Sequence, residues 1–150
     1  EDGDFTQQKF ENRYNADLAS GLGNLVARVI TMAVKQKTKN KKQKIINKNL
    51  KLFISKTRKE CHYFLNEFKF NEALMAIWGL ISFCDRYIEK EKPWASKDEK
   101  VIGNLLFALS EISKMLRPFL PETSKKISKQ LKTLKSQPLF PRLFPWLDRK

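Results

Sequence analysis

The stretch 96-SKDEKVIGNLLFALSEISKMLRP-118 carries its own start and stop signals. Ser96 and Glu99 stand in the S-x-x-E spacing of a capping box, whose side chains accept from backbone N–H groups that a helix start leaves free. Val101, Ile102, Leu105, Leu109, Ile112 and Leu116 then recur at helical spacing and define one apolar face. Pro118 and Pro121 close it, since proline lacks the N–H a helix interior needs. The spacing predicts a buried amphipathic helix with its N-cap at Ser96.

The same period extends outward in both directions. Upstream, Leu74, Ile77, Trp78, Ile81, Cys84 and Ile88 predict a helix over about 71–89, with Trp78 in its core stripe. Leu50, Phe53, Ile54, Thr57, Cys61, Phe64 and Leu65 predict another over about 48–68. Further back, Asp4 and Gln7 form a second capping-box-like start, and Phe10, Tyr14, Leu18, Leu22, Leu25, Val29 and Met32 follow. One long helix over roughly 5–35 is expected, with Gly21 and Gly23 suggesting close approach of another element. Downstream, Pro121 suits a first helical turn, and Ile127, Leu131 and Leu134 point inward. No segment has strand character. The expected fold is all-α: an antiparallel bundle of about five helices over residues 1–136. Residues 137–150 form an extended proline-rich tail that packs on the bundle or on another domain.

Composition narrows the function. With 150 residues, 41% of them hydrophobic, the chain can bury a core as one domain without disulfides or metals. No apolar run approaches the roughly 18–20 residues of a membrane span, and the first 15 residues lack a signal-peptide core, so an intracellular, cytoplasmic protein is expected. Thirty Lys and Arg against 16 Asp and Glu leave a net charge of +14, which fits a polyanionic partner, with nucleic acid the commonest. Cys61 and Cys84 fall on apolar faces as buried thiols, and His62 is alone, so neither a zinc site nor a His/Cys nucleophilic pair is expected. There is no phosphate loop, GxSxG or HExxH. A binding module is the better class.

Two features could carry recognition. At about 100° per residue, Asp17, Gly21, Asn24 and Arg28 share one side of the first helix. Asn and Arg suit base edges or phosphates; the alternative is a boundary row, with Arg28 paired to Asp17 or to a neighbouring helix. The second feature is 90-KEKPWASKDE-99. Pro93 holds Trp94 just outside the helix N-terminus, beside Lys92 and Lys97. That place suits an RNA backbone and a stacked base, or a lid folded back on the bundle. The lysine-rich 35-KQKTKNKKQK-44 either touches RNA or is a solvated connection.

The run 12-NRYNADLASGLGNLVARVITMA-33 resembles the anticodon-binding domain of methionyl-tRNA synthetase. So do 2-DGDF-5, the KPW of 92–94, 117-RPFLPETSKKISKQL-131 and 138-PLFPRL-143, in the family's order and over nearly the whole chain. The resemblance implies binding of the CAU anticodon of methionine tRNA by Asn24, Arg28, Pro93 and Trp94, with the indole on the wobble cytosine. Many members carry Asn where 84-CDRYI-88 has Asp85, so no anticodon role is carried over to it. HIGH-like and KMSKS-like motifs are missing, and the chain starts at Glu1 without Met. The resemblance therefore implies a piece of a larger ligase, inactive alone. It needs no cofactor of its own; ATP and methionine belong to the parent enzyme, whose catalytic domain is the second expected partner. The alternatives are an anticodon domain for isoleucine, valine, leucine or cysteine, and a helical docking module that binds no RNA.

Overall fold

The computed structural model describes residues 21–36, 47–96 and 98–135. Its helices are α1 (Gly23–Lys35), α2 (Lys48–Asn66), α3 (Phe70–Glu91), the single turn α4 (Pro93–Ser96), α5 (Glu99–Leu116) and α6 (Pro121–Thr133). The all-α expectation is borne out among these residues. The part of the long first helix expected over 5–20, the 137–150 tail and residues 37–46 of the lysine-rich segment lie outside the described residues.

The stretch 99–116 is the centre of the fold. Twelve of the 18 residues of α5 are buried. The single apolar face expected of it is too narrow: Leu106, Ala108 and Met115 are buried as well. A helix apolar nearly all round must be enclosed, and α1, α2, α3 and α6 all pack against this one. The buried polar residues of α5 have partners. Asn104 Nδ2 donates to the Tyr87 hydroxyl at 3.1 Å. The Glu111 carboxylate accepts from Arg58 and lies 3.1 Å from Lys114 Nζ. Ser113 Oγ donates to the Ser124 carbonyl at 2.9 Å, and Ser124 Oγ returns a bond to the Ser113 carbonyl at 2.7 Å. This reciprocal pair seats α6 on α5.

The α2 and α3 stripes fall as expected, with Leu50, Ile54, Thr57 and Cys61 buried on α2 and Ile77, Ile81, Cys84 and Ile88 on α3. Phe53 and Phe83 meet between them with ring centroids 4.7 Å apart. Trp78 is half-buried against the core. Burial pushes the Cys84 thiol up to about 12, helped by the Asp85 charge, and raises the Cys61 thiol as well. Both are structural thiols.

The start of α5 differs from expectation. Ser96 is not its N-cap. Asp98 is: its backbone is extended, and its carboxylate accepts from the Lys100 N–H at 2.9 Å. Lys92 turns into the left-handed region at φ 46°, ψ 59° and ends α3. The chain then makes one helical turn, with the Ala95 and Ser96 N–H groups bonded back to the Lys92 carbonyl. Ser96 is consumed by that turn, and the next residue with a free short carboxylate becomes the cap.

Candidate nucleic-acid interface

The site is built where α1 passes the end of α3. Asn24 lies in the first turn of α1, after a π turn at Gly21–Leu22, and Arg28 lies one turn further on the same side. Both are exposed, while Leu25, Val26 and Val29 between and beyond them are buried. Pro93 and Trp94 arrive from the other side on α4. Pro93 is buried, and its carbonyl accepts from Gln36 Nε2 at 2.7 Å. Gln36 is the C-cap of α1, so one hydrogen bond ties the Trp94 turn to the helix that carries Asn24 and Arg28.

The two expected halves meet. The Arg28 guanidinium carbon lies over the Trp94 ring, 5.3 Å from its centroid. Trp94 stays 46% exposed and outside the hydrophobic core, so it is not a lid buried in the bundle. Lys92 is exposed beside it, at the left-handed end of α3. Lys97 and Asp17 lie outside the described residues. One expected element fails. The N-terminal N–H groups thought to suit a phosphate belong to a helix already capped by Asp98 and carrying Glu99 in its first turn. Anion affinity at this end must come from side chains.

Two contributors went unread in the sequence. Arg28 Nη2 donates to Glu89 Oε1 of α3 at 2.7 Å, so the neighbouring-helix pairing weighed for Arg28 does form. Glu89 stands four residues from Asp85, the i,i+4 spacing that puts two carboxylates on one face. The Arg28–Glu89 pair is 41% and 63% exposed. Exposed pairs are worth about 0–1 kcal/mol, and a cation over an exposed ring about 0.5–1 kcal/mol. A good arginine–base contact is worth about 1–3 kcal/mol. The resting contacts therefore orient the guanidinium without holding it against a better acceptor. Gln36 was hidden inside the lysine-rich run; Lys35 and Gln36 belong to the end of α1.

Asp85 faces the same guanidinium. Desolvation raises its carboxyl above the usual range; Arg28 opposes this, Glu89 adds to it and Arg86 opposes it. In the window between the ordinary carboxylate range and the raised value, the folded state binds more protons than the unfolded chain. Stability therefore falls as pH rises through that window. Asp85→Asn is expected to raise the melting temperature at pH 7 by a few degrees at most, with the gain shrinking toward pH 4. Melting curves at the two pH values check this.

Among the described residues, no group of three or more His, Cys, Asp or Glu side chains is placed to hold a metal ion, and no helix is long and apolar enough to cross a membrane. A shallow groove between α2 and α3, lined by Phe53, Thr57, Phe64 and Met75 among others, does not include Asn24, Arg28 or Trp94. The exposed rim around Trp94 brings a cation and an indole together, with the exposed Asn24 one turn from Arg28 on the same helix.

Comparison with known proteins identifies the family. The family described as "Anticodon-binding domain of tRNA ligase" matches residues 47–147. A methionine–tRNA ligase from Caldanaerobacter subterraneus subsp. tengcongensis is 34% identical over 142 residues, covering 87% of this chain and 22% of that protein. One from Clostridium perfringens is 38% identical over 145 residues, covering 88% and 22%. The chain thus spans about a fifth of the length of these relatives. Among solved structures, the apo form of Mycobacterium tuberculosis methionyl-tRNA synthetase superposes with a TM-score of 0.74 at 19% identity, over 94% of this chain and 35% of that one. At that identity the likeness is one of fold.

Proposed function

Because the chain belongs to the family of anticodon-binding domains of tRNA ligases, we propose that it binds the anticodon loop of a transfer RNA, with the methionine anticodon CAU as its target. The observation that carries this is the Arg28 guanidinium over a half-exposed Trp94, with Asn24 one turn away on the same helix. An unstacked loop base takes the indole as its platform. Asn24 offers a donor and an acceptor to a base edge, and Arg28 offers a donor fork that leaves Glu89 for a base or phosphate. Lys92 adds attraction for the backbone that carries no sequence information. The choice of CAU rests on the methionine–tRNA ligases to which the chain is similar.

In this proposal the chain is one domain of a longer methionine–tRNA ligase of the cytoplasm. It selects the tRNA, and the ATP-dependent joining of methionine takes place in a catalytic domain outside this sequence. Fluorescence titration of the chain with stem-loops bearing CAU or a changed anticodon tests the reading. Binding should be at least about tenfold tighter for CAU, as one or two good base contacts provide. Equal affinity for the two would sink it.

A further inference from the structure

Helix α6 carries a charge pattern that the anticodon rim does not use. Five lysines, Lys125, Lys126, Lys129, Lys132 and Lys135, lie in or just after it against one acid, Glu122, and all are exposed. At about 100° per residue, Lys125, Lys129 and Lys132 fall within about 60° of one another. They lie opposite the buried side, which Ile127 and Leu131 mark and which the Ser113–Ser124 pair fixes on α5. Among the described residues, none of these ammonium groups has an acidic partner. Elsewhere among the described residues four basic side chains pair, Arg28 with Glu89, Lys56 with Glu60, and Arg58 and Lys114 with Glu111, while others, Lys48, Lys51 and Lys59 of α2 among them, do not.

Along the bundle axis, α6 also runs back toward the level of the site. The short 117–120 connection turns α6 back along α5, and Ser113 lies beside both Ser124 and Ser128. At about 1.5 Å per residue, Lys132 comes within roughly 10–15 Å, measured along the bundle, of the start of α5. That is where the Trp94 turn sits. Helix α6 also touches α1, which carries Asn24 and Arg28. A stem continuing from a loop seated at Trp94 covers that length in a few base pairs. Lysines about 4.5–6 Å apart along the helix, with no acidic partner among the described residues, set a row of positive charge against the charged backbone of a stem.

We propose that the Lys125–Lys129–Lys132 face of α6 is a rail for the phosphates of the double-stranded stem of the RNA whose loop is read at Trp94. The proposal rests on the anticodon reading for its partner and adds a surface to it. The rail supplies affinity and register, and Trp94, Asn24 and Arg28 supply selection.

The test compares the chain with its Lys125→Ala/Lys129→Ala/Lys132→Ala variant, titrated with the CAU stem-loop across a salt series. Alanine favours a helix, so the fold should persist, and circular dichroism confirms it. Each lost phosphate contact removes about 0.7–0.9 from the slope of log K against log salt. The variant's slope should be shallower by about two, and its affinity about tenfold or more weaker at low salt. The preference for CAU over a changed anticodon should be unchanged. A control triple on α2, Lys48→Ala/Lys51→Ala/Lys59→Ala, should change the slope by less than one. An unchanged slope in the α6 variant, or equal changes in both triples, overturns the rail. So does loss of binding to phosphatidylserine vesicles with the RNA slope retained, which would make the face a membrane contact. Failure of the anticodon reading shows separately, as absence of CAU preference in the unmodified chain.

Discussion

Trp94→Ala is expected to weaken binding of a CAU stem-loop by roughly five- to 150-fold, the 1–3 kcal/mol that a base stacked on an aromatic ring contributes. The loss should be confined to binding. Trp94 is half-exposed and outside the core, so the melting temperature should barely move, as for surface changes away from special features. Trp94→Phe should keep part of the affinity, since a smaller aromatic face still stacks. Arg28 makes the effect larger than the ring alone: its guanidinium rests over the indole, and without that surface only the exposed Glu89 contact orients it. The competing idea, that Trp94 serves packing or docking, predicts the reverse. Trp94→Ala would then lower stability and leave RNA affinity unchanged. Titration and thermal melting of the same two samples separate these outcomes.

How much of this was legible in the sequence depends on what each residue touches. The periodic stripes of α2, α3 and α5 were readable because burial follows spacing on a helix. The width of the α5 stripe was not, because spacing within one helix cannot count the neighbours that enclose it. Helix ends were harder. Phe68, Lys92 and Leu134 end helices with positive φ, at a cost of about 1–2 kcal/mol that glycine would avoid. A search for glycine stops misses all three. The misassigned cap has a similar origin: S-x-x-E was a valid local signal at Ser96, but left-handed Lys92 followed by Pro93 seeded an extra turn that moved the start to Asp98. At the site, Asn24, Arg28 and Trp94 were each visible, yet 66 positions of sequence separate Arg28 from Trp94. Only the packing of α1 beside the end of α3 brings them into contact. Glu89 and Gln36 escaped because their roles exist only across helices.

The largest expected loss of stability lies in the helix that joins these parts. Leu109→Ala should cost about 2–5 kcal/mol, the usual range for deleting a buried leucine and leaving a cavity. Leu109 is fully buried in the middle of α5, one turn from Leu105 and close to Ile112. Because α5 is enclosed by four other helices, none of them can close the cavity without leaving another contact, which places the cost in the upper part of that range. Against a total stability of about 5–15 kcal/mol, this is a large fraction. The melting temperature should fall by about 5–20 °C for a chain of this size. Leu52→Ala, on the exposed side of α2, should change stability by no more than about 0.5 kcal/mol. The site should respond differently from the fold. Leu109 is buried in the core while Asn24, Arg28 and Trp94 are exposed, so below its lowered melting temperature the variant should keep its preference for CAU, and above it affinity and preference should vanish together. If preference is lost while the helices remain folded, α5 does more than hold α1 and α4 in register, and scaffold and reading surface are not separate.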